Sequence, residues 1–302
     1  MVLEIKMQIP FTKYSKVYYI FSGLLIVGAI ASMIIFGLRF GIELTGGSML
    51  ELNFDQRPEN AAIQNKLEGL QLGEIIVQPT GEKGVILRLK NVTEIQHQEI
   101  LKNLEDLSKV QELRFESIGP AIGKEIKQKT EVAVILALLS ITFYIAIAFR
   151  KVSRPVSSLK YGIASLIALF HDILIPLGIF AALGKFYNIE ITIPIIAALL
   201  TILGYSVHDT IIIFDRIREN IIKRTSPSFE ETVNWSLNQT LGRSINTVLT
   251  VLIVLFAIFF FGGQTLKYFA LALIIGITCG AYSSIFIAAS LLVTWGKPRK
   301  TI

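Results

Sequence analysis

The 302-residue chain is 52% hydrophobic and only 17% charged, well short of the about 25% charged residues of a soluble globular domain, so water is excluded as its main solvent. The net charge of +6 does not point to nucleic acid, because Lys and Arg gather between long apolar runs, as they do in the cytoplasmic loops of membrane proteins. One cysteine, Cys279, excludes an internal disulfide.

Taken in chain order, residues 1–16 form a short polar N-terminus, and 17–38 is the first apolar run long enough to span a bilayer. It is too long for the hydrophobic core of a signal peptide and lacks a cleavage site. Residues 39–130 then change to soluble-protein patterning. Leu50, Leu52 and Phe54 alternate with polar residues at strand period. From Pro58 to Leu67 the residues Ala62, Ile63 and Leu67 fall at helical spacing. Residues 75–77 and 85–89 read as strands, joined by a turn at Gly81-Glu82-Lys83-Gly84. Thr93-x-x-Gln96 is a capping box, and the helix it opens is expected to bury Ile100, Leu101, Leu104 and Leu107. Leu113 and Phe115 mark a last strand. The order β-α-β-β-α-β predicts an inserted ferredoxin-like α+β domain. It contains no nucleophile–base pair, metal-ligand cluster or phosphate loop, and reads as a binding or coupling module.

Residues 131–296 hold five more spans, at 132–149, 161–183, 191–214, 245–261 and 268–295, with a cytoplasmic loop at 215–243 and a C-terminal tail at 297–302. The fold class is therefore a membrane all-α bundle of six transmembrane helices with an extracytoplasmic domain. Six spans place both termini on one side. That side carries Lys6, Lys13 and Lys16, then Arg150, Lys151, Arg154 and Lys160, then Arg216, Arg218, Lys223, Arg224 and Arg243, and finally Lys297, Arg299 and Lys300. The short loops opposite carry only Lys185 and Lys267. The positive-inside rule makes the termini cytoplasmic and the domain extracytoplasmic. Phe229, Val233, Trp235 and Leu237 suggest that part of the loop is an interfacial helix touching lipid.

Ionisable residues inside a membrane are expensive and mark pathways or relays. The third span carries His171-Asp172, with Ser165 on the same face. The fourth carries Tyr205, His208 and Asp209, with Tyr205 and Asp209 four residues apart on one face. Asp209 lies about one turn, roughly 6 Å, inside its cytoplasmic end. Arg243 lies just before the apolar core of the fifth span, at similar depth and within reach if the two helices are neighbours. An Arg that moves toward and away from a poorly solvated Asp would alternately release and capture a proton. The alternatives are a static pair, or an Arg that only anchors its helix. A metal site made from His171, Asp172, His208 and Asp209 fits no standard spacing. Gly276, Gly280 and Ser284 form a small-residue stripe on the sixth span suited to close packing.

Four stretches, in order, resemble the SecF branch of the SecD/SecF family, relatives of the resistance-nodulation-division transporters. They are Phe40-Gly41-Ile42-Glu43-Leu44-Thr45-Gly46-Gly47, then Ala168-Leu169-Phe170-His171-Asp172, then Gly204 through Asn220, and Ser236 through Ser244. Glu43 and Leu44 stand where the family usually has Asp and Phe, and His208 where Asn is common. The resemblance implies an accessory subunit of bacterial Sec protein export in the cytoplasmic (inner) membrane. Its implied partners are SecD, the SecYEG channel, YajC and an unfolded preprotein, with the lipid bilayer around it and no nucleic acid. It implies protons as the coupling ion and no other cofactor. The family's intramembrane Asp and Arg fall on Asp209 and Arg243, with His171, Asp172, Tyr205 and His208 as further relay candidates. Gly41, Glu43, Gly46, Gly47, Asp215, Arg216 and Arg218 belong to its structural motifs. The rival readings are a proton-driven half-transporter exporting lipids or small molecules, an intramembrane aspartic protease, and a passive scaffold. The protease would need Gly-x-Gly-Asp, and this chain has Val207-His208 before Asp209.

Overall fold

The computed structural model describes residues 9–150 and 156–296. Lys6, Lys151, Arg154, Lys297, Arg299 and Lys300, most of the N-terminal segment 1–16 and the tail 297–302 lie outside the described residues. The chain divides into two compact units, one made of 39–133 with 186–193 and the other of the remaining segments.

The first unit is the inserted domain. A four-residue turn of helix, α2 (Ile42–Thr45), leads into β1 (Gly47–Phe54), α3 (Asn60–Leu67), β2 (Ile76–Thr80), β3 (Gly84–Leu89), α4 (Glu94–Glu105) and β4 (Val110–Ile118). The strands form one four-stranded sheet in the order β2-β3-β1-β4, and each neighbouring pair is antiparallel. This is the ferredoxin-like arrangement expected from the sequence. Alternation along β1 sends Leu50, Leu52 and Phe54 into a core shared with Ile63, Leu67, Leu87, Ile100 and Leu104. The capping box forms as read: the Gln96 N–H donates to Thr93 Oγ1 at 3.4 Å, and the Thr93 N–H donates to Gln96 Oε1 at 3.0 Å. Leu107 departs from expectation. Helix α4 ends at Glu105, so Leu107 leaves the helical phase and stays 37% exposed. The unit also takes in residues 186–193, whereas the sequence predicts a loop only to 190 and the fourth span from 191.

The second unit carries the apolar helices. Among the described residues, six helices are long and apolar enough to cross a membrane. They are α1 (Ser15–Phe36), preceded by a 3₁₀ turn, α5 (Pro120–Ala148), α6 (Ser158–Tyr187), α7 (Ile193–Lys223), α8 (Phe229–Phe261) and a sixth built from α9 (Gln264–Ser283), a π-helical turn (Ser284–Ala288) and α10 (Ala289–Gly296). Pro120 opens α5 at a position where its missing N–H costs nothing. Ser228 caps α8 by accepting from the Glu231 N–H at 3.2 Å. Because α8 has 33 residues, it is about 50 Å long against about 30 Å of hydrocarbon. Its first turns therefore extend beyond the lipid core. The expected loop at 215–243 is helix almost throughout, from the end of α7 and the start of α8. Val233 and Leu237 are buried in the unit's core rather than lipid-facing, and only Trp235 is substantially exposed.

Helices α6, α7 and the sixth helix each bury about half of their most apolar stretch, whereas α1, α5 and α8 bury far less of theirs. Phe149, Tyr161 and Phe214 interlock, with ring centroids 5.1 to 5.8 Å apart. Small residues set the closest approaches. A side chain on Gly178 of α6 would meet the Ala29 backbone of α1 at 2.4 Å, and one on Gly276 would meet Ile202 of α7 at 2.1 Å. The Gly276, Gly280 and Ser284 stripe thus packs against α7, as its spacing suggested.

Candidate functional site

The polar centre of the helical unit is built where α6, α7 and the sixth helix pack. Asp172 on α6 is fully buried and has three hydrogen-bond partners. Ser206 Oγ on α7 donates to its Oδ2 at 2.6 Å, Ser283 Oγ on α9 donates to the same oxygen at 2.8 Å, and His171 Nδ1 lies 2.9 Å from Oδ1. With Asp172 ionised, the carboxylate accepts only, and a neutral His171 then carries its hydrogen on Nδ1 with Nε2 as an acceptor. That Nε2 is enclosed without a partner among the described residues. The His171 ring stacks near Tyr282 at 5.8 Å, and Ser22 of α1 donates to the Tyr282 hydroxyl at 3.2 Å.

Ser283 and Ser206 reach Asp172 because Gly280 keeps α9 close. A Cβ at Gly280 would lie 3.0 Å from Ser206 Cβ and 3.5 Å from Asp172 Oδ2. The π turn starts at the next residue, Ser284. Such a turn adds a residue to the helix without breaking it and re-aims the side chains around it. Ser284 Oγ lies 2.8 Å from Thr210 Oγ1 and also donates to the Ser206 carbonyl at 3.3 Å, so the sixth helix is fastened to α7 at two levels. Ser165 is not part of this cluster; its hydroxyl donates back to the Tyr161 carbonyl at 3.0 Å.

Asp209 is buried three residues further along α7, and its surroundings are the opposite of those of Asp172. Its Oδ2 is enclosed with no hydrogen-bond partner among the described residues, and the Tyr205 hydroxyl is likewise enclosed and unpartnered. No ion pair joins Asp209 to Arg243 among the described residues. Arg243 is exposed and lines a cleft of about 270 Å³ with Asp215, Arg216, Arg218, Glu219 and Gln239. Helices α7 and α8 are neighbours at this end, since Asn220 Nδ2 donates to Ser236 Oγ at 2.8 Å and to Gln239 Oε1 at 3.0 Å. His208 is exposed, in contrast to buried His171, Asp172 and Asp209. Arg216 pairs with Glu219 at 2.8 Å and Arg218 with Asp215 at 3.6 Å, which are local pairs within one or two turns of α7.

The glycine motif lies in the domain. A Cβ on Gly41 would lie 2.3 Å from Glu43 Oε2 and 3.1 Å from Thr192 Cγ2, so a side chain there would displace the Glu43 carboxyl. Gly46 has φ +78° and would press a Cβ to within 2.6 Å of the Pro120 backbone, so both space and conformation select glycine there. Burial raises the Glu43 carboxyl above its ordinary value. Sequence reasoning missed Ser206 and Ser283 as partners of Asp172. The only signal was polarity: hydroxyls at 283 and 284 inside an otherwise apolar run.

Two family models match this chain: "Protein export membrane protein SecD/SecF, C-terminal" over residues 96–298 and "SecD/SecF GG Motif" over residues 31–56. The chain is similar to the protein translocase subunit SecF of Thermobaculum terrenum, with 43% identity covering 95% of this chain and 94% of that one. It is also similar to SecF of Haemophilus influenzae, with 35% identity covering 98% and 90%. Among solved structures, the crystal structure of SecDF, a translocon-associated membrane protein from Thermus thermophilus, matches with a TM-score of 0.86 at 32% identity. A structure of SecDF in a super-membrane-facing form matches with a TM-score of 0.69 at 32% identity. Both matches cover 98% of this chain, which spans 40% of the SecDF chain. With the family model covering two thirds of its length and full-length relatives above 30% identity, the chain belongs to the SecD/SecF family of protein export membrane proteins.

Proposed function

We propose that this multi-pass membrane protein is an accessory subunit of Sec protein export that works with SecD and uses the proton-motive force to promote preprotein translocation. The translocase role and the pairing with SecD are supported by the full-length likeness to translocase subunits and by the SecDF match. The same likeness does not favour a half-transporter of lipids or drugs. SecYEG, YajC and the unfolded preprotein are proposed as the further partners. The proposed setting is the bacterial inner membrane, with both termini cytoplasmic and the domain outside. Catalysis has no part in this reading: its work is proton-coupled movement, with protons as the only coupling ion.

One observation carries the proton reading: two buried carboxylates on adjacent helices differ in their partners. Asp172 has two hydroxyl donors and the His171 ring as partners, which suit a fixed charge that ties α6, α7 and α9 together. Asp209 has an enclosed oxygen, Oδ2, that no group among the described residues donates to. Its charge state therefore depends on what moves up to it, and Arg243 on the neighbouring helix is the proposed group. Arrival of the guanidinium favours the carboxylate and releases a proton; withdrawal favours recapture. Tyr205, one turn before Asp209, is a proposed intermediate donor. The test is preprotein translocation in proteoliposomes holding the chain, its SecD partner and the channel. With Asp209→Asn the gradient-dependent component should vanish while gradient-independent translocation persists. Full gradient stimulation in that variant would refute the reading.

A further inference from the structure

Residues 186–193 join the helices that carry Asp172 and Asp209, yet they belong to the compact unit of the domain. Three sets of contacts hold them there. The Gly41 N–H donates to the Ile191 carbonyl at 3.0 Å, and the Ile191 N–H donates to the Arg39 carbonyl at 2.7 Å. The Arg39 guanidinium donates to Asn188 Oδ1, and Asn188 has a left-handed φ of 56°. Arg88 Nε of β3 pairs with Glu190 Oε2 at 2.8 Å, with both side chains nearly buried at 13% and 10% exposed. Glu43, in α2, packs its enclosed Oε2, which has no hydrogen-bond partner among the described residues, over Gly41, the residue whose amide makes the backbone clasp.

We propose that Glu190 and Glu43 form a proton-binding clasp in the domain: proton uptake holds the link between α6 and α7 onto residues 39–41, and proton loss frees it. The inference goes beyond the Asp209 reading and rests on a different set of residues. A charge at Glu190 is felt by Arg88 from β3, Glu43 from α2 and Arg39 from the preceding segment. Glu43 in turn faces Glu116 and Arg114 of β4 as well as Arg88. Two carboxylates therefore share a half-enclosed site with one close guanidinium, and Arg88 also donates to Gln78. Burial pushes the Glu190 carboxyl from its ordinary 4.5 up to about 7, and Glu43 adds to this, although Arg88 and Arg39 oppose it. Desolvation outweighs the ion pair, as it often does for buried pairs. A protonated Glu190 still accepts from Arg88 through its carbonyl oxygen, so the closed contact survives neutralisation.

The sign follows by linkage. When the link is released, Glu190 is in water and holds its proton weakly. When closed, it holds the proton more tightly. Acidification between about pH 7 and pH 4.5 therefore favours closure, by up to about 300-fold across the window. On the more acidic side of an energised membrane the clasp would be shut.

The experiment is hydrogen exchange of the full chain with its SecD partner in nanodiscs, corrected for the intrinsic pH dependence of exchange. Between pH 5.5 and pH 8, protection at the Gly41 and Ile191 amides should fall by roughly 10- to 100-fold, with β1 amides such as Leu52 changing by less than about 3-fold. Glu190→Gln, a neutral isostere, should abolish this pH dependence. Glu43→Gln should move the window to lower pH, and it decides the question if the first variant fails to fold. Asp209→Asn should keep the wild-type profile, which separates this test from that of the relay. A flat wild-type profile, unchanged pH dependence in Glu190→Gln, or loss of the profile in Asp209→Asn would each overturn the proposal.

Discussion

Removing one seryl donor from Asp172 tests whether this carboxylate is the fixed charge of the helical unit. Ser206 and Ser283 both donate to Oδ2, at 2.6 and 2.8 Å, from two different helices. Hydrogen bonds to a charged group contribute about 1.5–3 kcal/mol in soluble proteins. In membrane proteins interhelical bonds average nearer 0.6 kcal/mol, with a maximum of about 1.7, because the unfolded helices also find partners. The burial of Asp172 and the shortness of both contacts place Ser283→Ala at the upper end, at about 1–2 kcal/mol. That is a 5- to 30-fold shift in the unfolding equilibrium. Equilibrium unfolding in mixed micelles of wild type, Ser283→Ala, Asp172→Asn and the double variant gives the coupling directly. The account expects coupling of at least about 0.5 kcal/mol between Ser283 and Asp172. A single-variant loss within about 0.3 kcal/mol of zero, with additive double-variant behaviour, would show that the contact does not hold α9 to α6.

Three further outcomes follow from particular residues. Gly178→Ala places a methyl group 2.4 Å from the Ala29 backbone, which no rotamer can relieve, so α1 must move away from α6. Unfolding should become easier by about 1–3 kcal/mol, with weakened crosslinking between cysteines placed on α1 and α6. Gly46→Ala combines a φ of +78° with a backbone clash at Pro120; the domain should lose about 2 kcal/mol or more, read by its thermal midpoint. The Glu190 carboxyl, raised from 4.5 to about 7 by burial, makes the folded state bind protons more tightly than the unfolded state. Its contribution is fully present below about pH 4.5 and is lost as pH rises through 7, an effect of about 3 kcal/mol. Glu190→Gln should therefore flatten the pH dependence of domain stability between pH 5 and 8, measured by thermal unfolding at fixed ionic strength.

Much of the architecture is written in local patterns. Strand period in Leu50, Leu52 and Phe54, the Thr93–Gln96 box and the long apolar runs each depend on neighbours in sequence, and each forms as read. What was not legible depends on packing. Phe229, Val233, Trp235 and Leu237 read as the lipid-touching face of an interfacial helix; the helix forms, but Val233 and Leu237 face a buried surface that only packing supplies. The membership of residues 186–193 in the domain rests on backbone pairing with residues 39–41, which no residue type announces. Asp172 and Asp209 were both visible as costly intramembrane acids. Their contrast was not, since it depends on Ser206 and Ser283 arriving from other helices. Depth alone puts Arg243 within reach of Asp209; the structure instead lines a cleft with it.

The most direct measurement is gradient-driven proton flux through the chain and its SecD partner in proteoliposomes, followed with a pH-sensitive dye trapped inside. The account predicts measurable flux in wild type, loss in Asp209→Asn with normal assembly, and strong reduction in Arg243→Ala. Wild-type flux in Asp209→Asn would contradict it and move the proton path away from this residue.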